Sequence, residues 1–81
     1  MKGRKSGIEY QVNAIGLARE VLEKAEFMIE GTPYPDPFWL SARNKALSII
    51  KRAREIIDTE ANRRYLQRLY YEAKKLHDRV F

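Results

Sequence analysis

Gly31-Thr32-Pro33-Tyr34-Pro35-Asp36-Pro37 is the stretch that decides the fold. It places a proline at every second position from 33 to 37. Each proline fixes its own φ and drives the residue before it out of the α region, so the stretch is extended. Gly31 suits a left-handed position just past a helix end, where the missing Cβ avoids a clash. Asp36 suits an N-cap, with Pro37 at the first helical position, where no backbone N–H is needed. One helix therefore ends near residue 30 and the next begins near 37.

Outward from that linker, apolar residues recur at the 3,4 spacing of a helix face packed on other helices. Upstream the stripe is Ile15, Ala18, Leu22, Ala25 and Ile29, flanked by Tyr10, Ala14, Val21 and Met28. Downstream it is Trp39, Ala42, Ala46, Ile49, Ala53 and Ile56, flanked by Ile50 and Ile57. A third stripe runs Leu66, Leu69, Ala73, Leu76 and Val80. No stretch sustains the alternation of a strand.

The second boundary rests on phase. Continuing the second stripe past Ile56 would put Glu60, Arg63 and Gln67 in the core, whereas the apolar residues resume one position early at Leu66. One residue is about 100° around a helix, so a straight helix cannot aim both stripes at one core. A break is expected between 58 and 61, with Asp58 or Thr59 as cap and Glu60 in the first turn. The predicted fold is all-α: a compact up-down-up three-helix bundle with helices near 8–30, 37–57 and 60–80 and a Pro-rich extended linker after the first. Residues 1–7 read as a flexible basic tail, and 8–81 as a single domain.

The chain has 81 residues, 44% of them apolar, which suffices for one small core. It has no cysteine, which excludes a disulfide framework, a thiol nucleophile and a zinc finger. No unbroken apolar run exceeds that of Phe38-Trp39-Leu40, far below the ~20 residues of a membrane span. A cytoplasmic location is expected. Net charge is +5, with 1–7 at +3, 8–31 at −3, the linker 32–37 at −1, and 38–58 and 59–81 at +3 each. An acidic first helix beside two basic ones suggests complementary flanks inside the bundle.

Little in the sequence points to catalysis. The lone histidine, His77, has Ala73 and Lys74 on the preceding turn, so no helical carboxylate or second histidine joins it around a metal. Its place at the edge of the third stripe reads as structural. Ser6, Ser41 and Ser48 lack a nucleophile elbow, and Gly3, Gly7, Gly16 and Gly31 are too scattered to cradle phosphate. Glu20, Glu23, Glu26 and Glu30 form an acidic arc without the Glu-x-x-His of di-metal bundles. Neither a cofactor nor an enzyme is expected.

Two surfaces remain. Arg64, Arg68, Tyr71, Lys75 and Arg79 fall at 4,3,4,4 spacing on the face opposite the third apolar stripe, and Arg43, Lys51 and Arg54 add cations on the second helix. Cations about one turn apart can track phosphates, and a tyrosine among them can stack on an unpaired base. Part of the row reads as neutralised by i,i+4 pairs, Glu60 with Arg64, Arg68 with Glu72 and Lys74 with Asp78. Leu40, Leu47, Tyr65 and Tyr70 widen the apolar flanks of the last two helices, and Phe27 sits on the polar arc of the first. Such a rim suits a protein partner or a second copy. Tyr34, Phe38 and Trp39 around the prolines lack the PxxP spacing of SH3 ligands and read as a seal over one end of the core.

The segment Leu69-Tyr70-Tyr71-Glu72-Ala73-Lys74-Lys75-Leu76 resembles the last helix of microtubule-interacting-and-transport domains. The three prolines after the first helix depart from that family's short connection, and nothing is carried over from it. The sequence alone points to a non-enzymatic interaction module binding protein or itself, with nucleic-acid binding through the basic residues as the alternative.

Overall fold

The computed structural model describes residues 7–57, 59 and 61–81. Three helices form: α1 (Gly7–Glu30), α2 (Pro37–Glu55) and α3 (Arg63–Val80). They pack as a compact up-down-up bundle in which α1 is central. α2 and α3 each lie along α1 and touch each other far less. The direction of α3 follows from its bonds to α1: Tyr10 meets Tyr70, Glu20 meets His77, and Lys24 reaches Val80. Among the described residues no helix is long and apolar enough to cross a membrane.

The start of α2 forms as its sequence dictates. Asp36 is the N-cap in extended conformation, its Oδ1 accepts from the Phe38 N–H at 2.9 Å, and Pro37 opens the helix. The end of α1 differs from expectation. Gly31 does not take a positive φ; the chain leaves through a turn in which the Thr32 N–H donates to the Ile29 carbonyl at 3.3 Å. The Thr32 hydroxyl then accepts from the Tyr34 N–H, so the linker supplies a partner of its own.

The break between α2 and α3 is present but wider than expected. α2 stops at Glu55, two residues short of 57, where Ile56 turns extended at φ −90°, ψ 126°. α3 starts at Arg63 rather than 60, because Thr59 closes a separate turn. Both its hydroxyl and its carbonyl accept from the Asn62 N–H, and the Asn62 side chain donates back to the Ile57 carbonyl. Thr59 thus caps this turn and not the helix, while the expected roles of Asp58 and Glu60 lie outside the described residues. At the other end α1 includes Gly7, which is buried, so residue 7 is not part of the tail expected over 1–7, and the rest of that expectation lies outside the described residues.

The core is alanine-rich: Ala14, Ala18 and Ala25 on α1, Ala42, Ala46 and Ala53 on α2, and Ala73 on α3. Small side chains let helix axes approach closely, and the larger Val21, Ile49, Leu66 and Leu69 fill what remains. The α3 stripe is buried as its spacing predicts. On α1 the buried line is instead Tyr10, Ala14, Ala18, Val21 and Ala25, with Ile15 and Leu22 only packed against its edge and Met28 exposed. A helix with neighbours on two sides buries the bisector of its apolar arc, and alanines occupy that line. Ile57, expected to flank the second stripe, is exposed. The core holds no polar or charged residue among those described.

Candidate functional site

With an apolar interior, polar chemistry is confined to the outer faces and the helix junctions. Among the described residues no three His, Asp or Glu side chains gather as a metal site would require. His77 joins α3 to α1: its Nε2–H donates to Glu20 Oε1 at 2.7 Å, and its ring stacks on Phe81 at 4.4 Å. Lys24 completes that corner by donating to the Val80 carbonyl and lying 4.7 Å over the Phe81 ring. This is the structural use expected of the histidine.

The acidic arc of α1 from Glu20 to Glu30 pairs little with the basic helices among the described residues. Glu20 is engaged by His77, while Glu23, Glu26 and Glu30 form no ion pair among the described residues. The clearest cross-helix ion pair joins α2 to α3: Arg52 donates to Glu72 Oε2 at 3.2 Å. That bond raises the Arg52 guanidinium above its usual range, with burial opposing and Tyr65 assisting. Glu72 therefore serves Arg52 and not Arg68, against the i,i+4 pairing expected on α3.

The α3 row is the most ordered arrangement on the surface. Arg64, Arg68, Tyr71, Lys75 and Arg79 are all exposed and fall within roughly 80° of helix arc. Arg68, Lys75 and Arg79 have no ion-pair partner among the described residues. A shallow depression of about 570 Å³ runs beside them, lined by Arg68, Tyr71, Glu72, Lys74, Lys75 and Asp78. The Tyr71 ring leans on Tyr70 at 5.2 Å and is 53% exposed.

The α2 cations do not join this row. Arg52 faces α3, whereas Arg43 lies roughly 180° and Arg54 roughly 200° from it around the α2 axis. Both therefore leave α2 on the side away from α3, and exposed Lys51 stands between these directions. The one surface expected of both helices is two.

The expected apolar rim also divides. Tyr65 and Tyr70 pack against the core, Tyr70 with its ring 5.6 Å from that of Tyr10. Leu40 is half-buried and Leu47 is 46% exposed on the outside of α2. Exposed rings that the spacing did not reveal stand on the elements that meet at one end of the bundle: the end of α1, the linker, the start of α2 and the end of α3. Phe27, Tyr34, Phe38 and Phe81 are all exposed there, at 72%, 88%, 43% and 61%. Trp39 does partly seal the core, its ring edge-on to Phe38 at 4.9 Å, but Tyr34 and Phe38 do not fold over it. No family model, curated protein or solved structure matches the chain.

Proposed function

We propose that this chain is a non-enzymatic, cytoplasmic helical interaction module that binds protein through the aromatic end of the bundle, with a second copy of itself as the partner. The observation that carries this reading is that Phe27, Tyr34, Phe38 and Phe81, on the elements that meet at one end of the bundle, are all exposed. Exposed apolar side chains scattered singly are ordinary, but four large exposed rings on elements meeting at one end of the bundle favour a contact surface there. Two such ends meeting about a two-fold axis would each cover the other, the closed arrangement most homodimers use.

Sedimentation velocity over a wide concentration range tests the reading. The expected result is a concentration-dependent dimer that Phe27→Ser with Phe81→Ser abolishes while circular dichroism keeps its helical signal. A chain that stays monomeric throughout, or a dimer indifferent to the substitutions, overturns it.

A further inference from the structure

We infer that the outer face of α3 is a binding site for single-stranded nucleic acid, with Arg64, Arg68, Lys75 and Arg79 on the phosphates and Tyr71 stacked on a base. This is a surface and a ligand class distinct from the aromatic end, and the two readings stand or fall separately.

The geometry argues for a polyanion first. The four cations stand on one exposed arc of one helix. From Arg64 to Arg79 the row is roughly 22 Å long at 1.5 Å per residue. That length suits on the order of six stacked nucleotides at about 3.4 Å each. Arg68, Lys75 and Arg79 stay unneutralised, since no ion pair holds them among the described residues. The acid that would have silenced Arg68, Glu72, is drawn across to Arg52 on α2. The surroundings extend the field: Lys74 lines the same depression, and Arg79 shares a cleft with Lys45 of α2. Asp78 is the one uncompensated acid at that depression, and it lies toward the end of the row.

Tyr71 then favours an unpaired strand over a duplex. It sits in the middle of the row, half exposed, with Tyr70 bracing its ring. A braced aromatic flanked by cations offers a flat surface to a base, and only an unpaired base presents its face for stacking. A duplex would use the cations and leave the ring idle. An acidic protein would likewise draw nothing from the stacking surface.

Fluorescence anisotropy of labelled oligothymidine with the full chain, at two salt concentrations, decides the matter. The expected result is binding that weakens steeply with salt. Arg68→Glu with Lys75→Glu should abolish it, and each cation withdrawn from a phosphate should flatten the logarithmic salt slope by about 0.7. Tyr71→Ala should weaken binding by roughly tenfold, and Tyr71→Phe, which keeps the ring, should restore it. Arg43→Glu with Arg54→Glu alters net charge equally on the other side of α2 and should cost far less.

Absence of binding at low salt overturns the proposal. So does an equal loss from the α2 pair of substitutions, which would make binding a matter of total charge. Duplex of the same length binding as tightly, or polyglutamate competing as well as oligothymidine, would reduce the row to a general anion surface and sink the assignment. Helical content measured on every variant separates loss of binding from loss of fold. Sedimentation of the Arg68→Glu, Lys75→Glu variant shows whether the aromatic end still works.

Discussion

The side-chain amide of Gln11, in the second turn of α1, donates a 3.0 Å hydrogen bond to the carbonyl of Ile56, just past the end of α2. The same Nε2 also donates to the Ala53 carbonyl. A helix leaves its last carbonyls without intrahelical partners, and here a side chain from the neighbouring helix meets two of them. Gln11→Ala should therefore destabilise the bundle by about 1–2 kcal/mol, the range for losing two neutral bonds at a part-buried site. Gln11→Glu should cost more, because it replaces the donor with a carboxylate facing carbonyl oxygens. A melting temperature unchanged in the alanine variant would show that water serves those carbonyls equally well.

Gly16 stands in the middle of α1 on its outer face, and a Cβ built there meets nothing within 4 Å. Gly16→Ala should stabilise the chain by about 1 kcal/mol, the helix-interior difference between the two residues. For a domain of this size that raises the melting temperature by roughly 4–8 °C. Gly31→Ala should be tolerated and mildly stabilising, since φ there is negative and the nearest foreign atom, the Phe27 carbonyl oxygen, is an ordinary 3.7 Å away. A loss of stability at Gly31 would reveal a left-handed conformation after all.

Leu66 and Leu69 are among the largest fully buried side chains. Truncating either to alanine should cost about 2–5 kcal/mol in chemical denaturation. The alanines test the opposite error. Ala18→Leu or Ala46→Leu adds volume where the buried residue is wholly covered and should cost about 1–3 kcal/mol through overpacking. If Ala46→Leu is neutral, the packing of α2 on α1 is looser than its burial implies.

Arg52 and Glu72 form an ion pair whose side chains are 36% and 52% exposed. A double-mutant cycle to alanine should return a coupling of about 0.5 kcal/mol that shrinks as salt is added. The sign of the pH effect follows from the raised Arg52 group. A base whose pKa rises on folding stabilises fully below its unfolded value and loses that contribution only as pH climbs through the folded one. Both values lie in strong alkali, so titration of this arginine should leave stability flat across the neutral range.

What the sequence discloses depends on how local the cause is. The cap and proline at Asp36 and Pro37 act within one turn, so the start of α2 could be placed to the residue. The α3 stripe faces one way and its spacing suffices. The α1 stripe failed for a non-local reason: its buried line depends on where two other helices stand, which no window of α1 contains. Thr59 misled because capping residues also close turns, and only the pairing of Asn62 with Ile57 shows which occurred. Gln11 carried no signal, since a polar residue beside an apolar stripe is ordinarily a solvated one.

The candidate surfaces divide on the same principle. The α3 row is set by spacing along one helix and was legible. Whether Arg43 and Arg54 join it depends on the direction of α2 relative to α3, which Arg52 alone discloses. Tyr65 and Tyr70 were equally opaque, because a tyrosine at the edge of a stripe is buried or bare according to its neighbour. The aromatic end joins parts of the chain from Phe27 to Phe81, a separation that spacing cannot bridge.

Central placement of α1 has a consequence for synthesis. The ribosome releases α1 first, before either helix that covers it exists. α2 can shield one flank as it emerges, but the other waits for α3, whose Val80 carbonyl receives Lys24. Nascent chains stalled before α3 should therefore stay open to protease along α1, and a chaperone that grips bare hydrophobic segments would find its hold there.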